Sequence, residues 1–253
     1  MQAGTKRVVL LDQIRGLSIL LMVVYHGAYD LIYIFNLSVP IFNTPAVMWL
    51  QSFFASIFIL ISGIVSSYSR SNVKRGAQCM GIALAMTVIT WVFIPEERIL
   101  WGILHLLGFS MLFYGLLGRY LQKLPQAFMG TLYFLIFLAT FHISAGYLGL
   151  FGKIFIEMPT NLYDTSWLFW LGFPARHFFS SDYFPVLPWF FMFLVGSTLG
   201  PWFKSGKAPK LFYQGLTGKI GAFFSFCGRH SLWIYLAHQP ILYLLFSLIF
   251  ALR

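Results

Sequence analysis

The sequence predicts an all-α fold: a polytopic membrane bundle of about seven transmembrane helices, N-in and C-out, with one or two short re-entrant or interfacial segments. Three observations lead there. Hydrophobic residues make up 59% of the 253 and charged residues only 9%, where an average soluble domain carries roughly 25% charge. Mean hydropathy is +0.78. So little polar surface cannot coat a water-soluble globule of this size, which excludes a cytosolic enzyme and a disordered chain. Second, seven apolar runs reach the length of about 20 residues that a helix needs to cross a bilayer. Third, the basic residues gather at alternate ends of those runs, as the positive-inside rule requires.

The first run extends from near Ile14 to Phe35. Lys6 and Arg7 precede it, no small-residue cleavage site follows, and it contains His26 and Asp30, so it reads as a retained helix and not a signal peptide. The next five run from Ala46 to Ser66, Gly76 to Ile94, Ile99 to Gly118, Ala127 to Gly146 and Phe184 to Phe203, and the last from Gly228 to Leu252. Pro40, Pro45, Pro95, Pro125, Pro159 and Pro201 fall between the runs or at their edges, where helix breakers belong. Tyr147–Ile156 and Ser166–Phe173 are apolar but too short to span, and are expected to be loop or re-entrant structure. No linker or internal repeat is visible, so residues 1–253 read as one domain.

With the N-terminus inside, 13 of the 17 lysines and arginines fall at cytoplasmic ends; Arg98, Lys153, Arg176 and Arg253 are the others. Glu96, Glu97, Glu157, Asp164 and Asp182 then all fall in external loops. The net charge of +10 therefore reflects topology and anionic lipid headgroups rather than a nucleic-acid partner. Cys79 and Cys227 are expected to be free thiols, and no metal-ligand spacing is present.

An ionisable group at the bilayer centre costs about 2.5–3.5 kcal/mol on insertion scales, so it needs a partner or a task. The first helix carries Asp12, Arg15, His26 and Asp30. At about 100° per residue, His26 returns to within roughly 20° of Arg15, and Asp12 and Asp30 each lie about 60° away. His26 is then roughly 16 Å deeper than Arg15, with Asp30 one turn further at the i+4 spacing where side chains meet. A cation at the cytoplasmic rim and a base deep in the membrane, oriented by a carboxylate, would suit a long substrate with an anionic head and a reactive tip. Coenzyme A thioesters have that shape. The structural alternative is that Arg15 snorkels to the interface and His26–Asp30 is a packing hydrogen bond.

In the last run, Ser231, Tyr235 and His238 share a face, and Pro240 removes a helix hydrogen bond beside the pair His238–Gln239, which could form a cavity wall. His105 is placed about two turns inside the fourth run, and His142 reads as structural. Asp182 caps the sixth helix or touches an external substrate, with Trp189 beyond it in a stiff Pro-x-x-Pro-Trp entry. Ser62-Gly63 reads as helix-packing material rather than a protease nucleophile.

Leu11-Asp12-Gln13-Ile14-Arg15-Gly16-Leu17, followed by His26 and Asp30, resembles the opening of the heparan-alpha-glucosaminide N-acetyltransferase catalytic-domain family. Gly102–His105, Asp182–Trp189 and Gly228–Pro240 resemble later motifs of its short bacterial branch, so the likeness runs from near residue 7 to near residue 245. The Arg15-x10-His26 spacing is also similar to that of the broader membrane acyltransferase-3 group. The resemblance implies a multi-pass enzyme of the plasma (inner) membrane that moves an acyl group, acetyl above all, from cytoplasmic acyl-CoA to a hydroxyl or amine of an external glycan or amino-sugar acceptor. Acetyl-CoA would be a co-substrate, with no tightly bound cofactor. Arg15 would bind the donor, His26 would be general base or transient acyl carrier, and Asp30 would fix its tautomer. His105, His238, Gln239, Asp182 and Trp189 would be second-tier positioning residues. Two other classes remain open on the residues alone: a haem-binding electron carrier using the membrane histidines, and a proton-coupled transporter.

Overall fold

The computed structural model describes residues 7–150 and 153–252; Lys6 and Arg253, two of the loop cations counted above, lie outside the described residues. Nine helices occur among them: α1 Val9–Tyr33, α2 Pro45–Ser66, α3 Asn72–Phe93, α4 Ile103–Leu121, α5 Gln126–Thr140, α6 Val186–Lys204, α7 Lys210–Gln214, α8 Gly218–Arg229 and α9 Ser231–Ala251. Seven are long and apolar enough to cross a membrane: α1 to α6, with α5 continued to Ala145, and α9. These are the seven runs of the sequence, and the fold is an all-α polytopic bundle. The chain packs into two compact units, one made of the chain up to Ile61 with the chain from Ser205 onward, the other of Ser62–Lys204.

In the first unit, α1 is held by α8 and α9. The α1–α8 contact is backbone against backbone. A Cβ on Gly16 would fall 2.0 Å from the Phe224 carbonyl oxygen, and one on Gly228 would fall 1.8 Å from that of Asp12. Gly221, Ser225 and Gly228 recur along α8 at i, i+4 and i+7, a stripe of small buried residues that makes this approach possible. Gln13, buried on α1, locks the turn before α8: its Nε2 donates to Leu216 O (2.9 Å) and Gly221 O (3.1 Å), and its Oε1 accepts from Leu216 N (2.7 Å). Hydropathy alone merges the end of α8 with the last span. The structure breaks the two at His230, and α8 is a separate short helix with Ile220, Phe223 and Phe226 exposed on its outer face.

In the second unit, α3 packs on α4 and α5 on α6, with α4 also touching α6. Phe193 on α6 is fully buried, and Phe190 meets Phe109 and Phe113 of α4 edge to face. The apolar piece at 147–156, expected as loop or re-entrant structure, forms an antiparallel pair of β1 Tyr147–Leu150 and β2 Lys153–Glu157. The Lys153-Ile154-Phe155-Ile156-Glu157 segment favours extended backbone through its β-branched and aromatic residues. All five residues of β2 are exposed. The second short piece, around Ser166–Phe173, is loop with one 3-10 turn, Phe169–Leu171.

Candidate functional site

Unit one gathers polar groups at two levels of α1. At its start, Asp12 accepts from Arg7 Nε (2.8 Å) and Nη2 (2.6 Å), and from Arg15 Nη2 (2.7 Å). Two guanidinium groups share one carboxylate, so the cluster keeps a net positive charge. Arg15 Nε also donates to the Gly228 carbonyl at 2.8 Å, a charge-assisted bond to the C-terminal turn of α8, where helix carbonyls lack partners. Arg15 is therefore a seated residue rather than a snorkelling one.

Deeper on α1, His26 meets His238 of α9 edge to face, ring centroids 5.0 Å apart, and also meets Tyr25 at 5.8 Å. The Nδ1 of His238 is bonded to the Tyr235 carbonyl oxygen. A carbonyl only accepts, so Nδ1 carries the proton and Nε2 is the basic nitrogen of the neutral ring. One turn beyond His26, Asp30 accepts from Gln239 Nε2 at 2.6 Å. The sequence expected Asp30 to bond His26. In the structure its recorded partner is Gln239, and His26 pairs with His238 by ring contact. Spacing along one helix could not reveal this, because both partners arrive on α9.

Unit two holds the other candidates. The sequence started the fourth span near Ile99, placing His105 two turns deep; α4 in fact begins at Ile103, so His105 lies in its first turn. There it acts as a cap: Nδ1 accepts from Gly102 N (3.1 Å), which leaves Nε2–H to donate to Thr87 Oγ1 (3.1 Å) on α3. Asp182 is buried and caps α4 as well, not α6, its Oδ2 accepting from Ile103 N at 2.9 Å. Gly102 is required beside it, since a Cβ there would sit 2.2 Å from that oxygen. Residues 97–103 and 180–184 are laced together further. Ser180 Oγ accepts from Leu100 N (3.0 Å), Ser181 Oγ donates to Glu97 O (2.9 Å), and Phe184 N donates to Trp101 O (3.0 Å).

Trp101 stacks on His105 with centroids 5.4 Å apart, and Trp170 lies 5.9 Å from Trp101. Trp189 packs among Phe137, Phe141 and Phe184, an aromatic core position. Tyr183 donates to Phe169 O at 2.6 Å, and burial pushes its phenol well above the usual tyrosine range, so it is a neutral donor. Sequence reasoning passed over Gln13, Thr87, Ser180 and Trp101. Only Gln13, an amide inside an apolar run, carried a visible signal.

Ser62-Gly63 is helix-packing material, with Gly63 against the Phe193 backbone. His230 is exposed and donates through Nδ1 to Phe226 O. Cys79 and Cys227 are free thiols. Haem ligation gains no support from these histidines. Both nitrogens of His105 are engaged, and the rings of His26 and His238 touch without a porphyrin's width between them.

The model of the heparan-alpha-glucosaminide N-acetyltransferase catalytic family matches residues 7–240. The chain belongs to that family. No curated protein and no solved structure matches it. The matched range takes in both levels of α1, the α4 cap and α9 as far as Pro240. Membership makes it a membrane acetyltransferase by family.

Proposed function

We propose that the protein transfers an acetyl group from cytoplasmic acetyl-CoA to a hydroxyl or amine of a glycan or amino sugar on the far side of the plasma membrane. The observation that carries the reading is the pairing of His26 with His238, brought ring to ring from α1 and α9 on the stripe of α1 that begins at Arg15. The net positive cluster of Arg7, Asp12 and Arg15 attracts the donor's phosphates, and the planar guanidinium suits them geometrically. The extended pantetheine arm reaches inward over roughly the 16 Å that separates Arg15 from His26 along the helix.

His26 takes the proton of the acceptor hydroxyl or amine as that atom attacks the thioester carbonyl. The tetrahedral oxyanion collapses, the C–S bond breaks, and the imidazolium returns its proton to the leaving CoA sulfur. No redox change occurs and no proton is lost. His238, whose basic nitrogen is Nε2, shares the load on the same pair. Asp30 acts through position: its bond to Gln239 holds α9 in the register that places His238 against His26. His105, Asp182 and Trp189 build and hold the entrances of α4 and α6 within unit two.

The test is thiol release from acetyl-CoA by purified protein against a panel of amino sugars and glycans. Acceptor-dependent release is expected. Release with none of them, alongside acceptor-independent solute uptake into proteoliposomes, would instead establish a transporter. General-base assistance typically contributes about 10²–10⁴-fold, so His26→Ala should lower kcat by that order while acetyl-CoA still binds. Groups that act as a unit are non-additive, so His26→Ala/His238→Ala should be little worse than the poorer single variant. Wild-type turnover per folded molecule in His26→Ala would remove it as base.

A further inference from the structure

Asp30 is 0% exposed in the membrane-spanning part of α1, and its two oxygens have different surroundings. Oδ1 accepts from Gln239 Nε2 at 2.6 Å. Oδ2 is buried with no hydrogen-bond partner among the described residues, and so is Oε1 of the same Gln239. Neither ion pair among the described residues involves Asp30; both belong to Asp12. An ionised carboxylate is acceptor-only. As an anion, Asp30 would leave a buried charge without a cation and set one bare acceptor on a residue whose amide carries a second. The two residues are already joined by one hydrogen bond, and a single hydrogen shared by Oδ2 and Oε1 would satisfy both remaining acceptors.

We propose that Asp30 is a neutral carboxylic acid in the folded protein and forms a cyclic acid–amide pair with Gln239. Nε2–H donates to Oδ1, and Oδ2–H donates to Oε1. The ring is uncharged, uses each of the four heteroatoms, and ties α1 to α9 one turn from the two histidines. The titratable groups around it on these helices are His26, His238, Tyr25, Tyr29, Tyr33, Tyr235 and Tyr243. On α7 and α8 they are Lys210, Tyr213, Lys219, Cys227 and Arg229. These two helices meet α1 near Gln13 and Gly16, roughly 21 Å along the axis from Asp30. No lysine or arginine on the elements packed around α1 is therefore placed to hold Asp30 ionised. A functional consequence rests on the acyl-transfer reading, although the pair itself does not. Transfer builds negative charge on the thioester oxygen and then on sulfur, and a neutral acid beside His26 does not oppose it as a carboxylate would.

Infrared spectroscopy of the purified protein at neutral pH tests this without acetyl-CoA, so its outcome is separate from that of the acetyltransferase assay. The difference spectrum of wild type minus Asp30→Asn should show the C=O stretch of a protonated carboxyl, shifted to lower frequency in D2O. Only carboxylate bands in that difference would overturn the proposal. Asp30→Asn should also melt close to wild type, because an amide can rebuild the two-bond ring, whereas Gln239→Leu should melt clearly lower. Equal losses in both variants would contradict the neutral pair. If Asp30→Asn does not fold, carboxyl-13C aspartate labelling answers the same question. Asp12 is ion-paired and Asp164 is exposed, and with the label in an Asp182→Asn background an isotope-shifted protonated band belongs to Asp30. Its absence would refute the assignment.

Discussion

At the scale of single residues, Arg15 combines two duties that can be separated. It bonds the Gly228 carbonyl and Asp12, and it stands in a cluster with excess positive charge. Arg15→Ala should raise the apparent KM for acetyl-CoA about tenfold or more, by analogy with the roughly 1.5–3 kcal/mol of a charge-assisted hydrogen bond. Arg15→Lys should recover only part, since a point charge replaces a planar fork. Steady-state kinetics at fixed acceptor reads both, and an unchanged donor KM in the two variants would detach Arg15 from the donor. The Arg15–His26 stripe was legible in the sequence because helical spacing alone places both groups on one face. The partnerships His26–His238 and Asp30–Gln239 were not, because each joins residues more than 200 positions apart. Periodicity within one helix holds no information about which distant helix docks on it.

At the scale of elements, the seven spans could be read directly from apolar length, while α8 and the start of α4 could not. α8 is short and hides only a stripe of small residues, so its hydropathy resembles a loop, although Gly221, Ser225 and Gly228 do mark its face. α4 starts four residues later than hydropathy suggests because Leu100 N and Trp101 O bond the 180–184 segment, while Ile99 N donates to Thr90 Oγ1 and Gly102 N to His105 Nδ1. Three variants probe these joints. Gly228→Ala forces a Cβ into the Asp12 carbonyl; overpacking of this kind typically costs about 1–3 kcal/mol. It should lower the melting temperature in detergent and raise the donor KM by disturbing Arg15. Asp182→Ala removes the buried cap of α4 and should cost about 1–2 kcal/mol of stability. Asp182→Asn, which keeps an acceptor oxygen, should cost less. Thermal melts of the three variants beside wild type check the ranking.

At the scale of the whole molecule, loop charge fixes an expected orientation. Arg70, Lys74 and Arg75 flank the α2–α3 turn, and Lys204, Lys207, Lys210, Lys219 and Arg229 fill the stretch before α9. Seven spans with these loops inside put the C-terminus outside. A C-terminal tag should therefore be cut by protease in intact cells and protected in inverted vesicles; the reverse pattern would invert the topology.

The lacing of residues 97–103 to 180–184 also has a consequence in time. The cap on Ile103 comes from a side chain 79 residues later in the chain, which a ribosome adding about 5–20 residues per second delivers roughly 4–16 s after Ile103 itself. During that interval the α4 entrance holds open backbone donors at the membrane surface, and α5 and the β1–β2 pair must be laid down beside an unfinished neighbour. A nascent chain arrested before Ser180 should be cleaved by external protease between Pro95 and Gly102, and one arrested after α6 should resist. The entrance of α4 is thus completed only when residues 180–184 arrive.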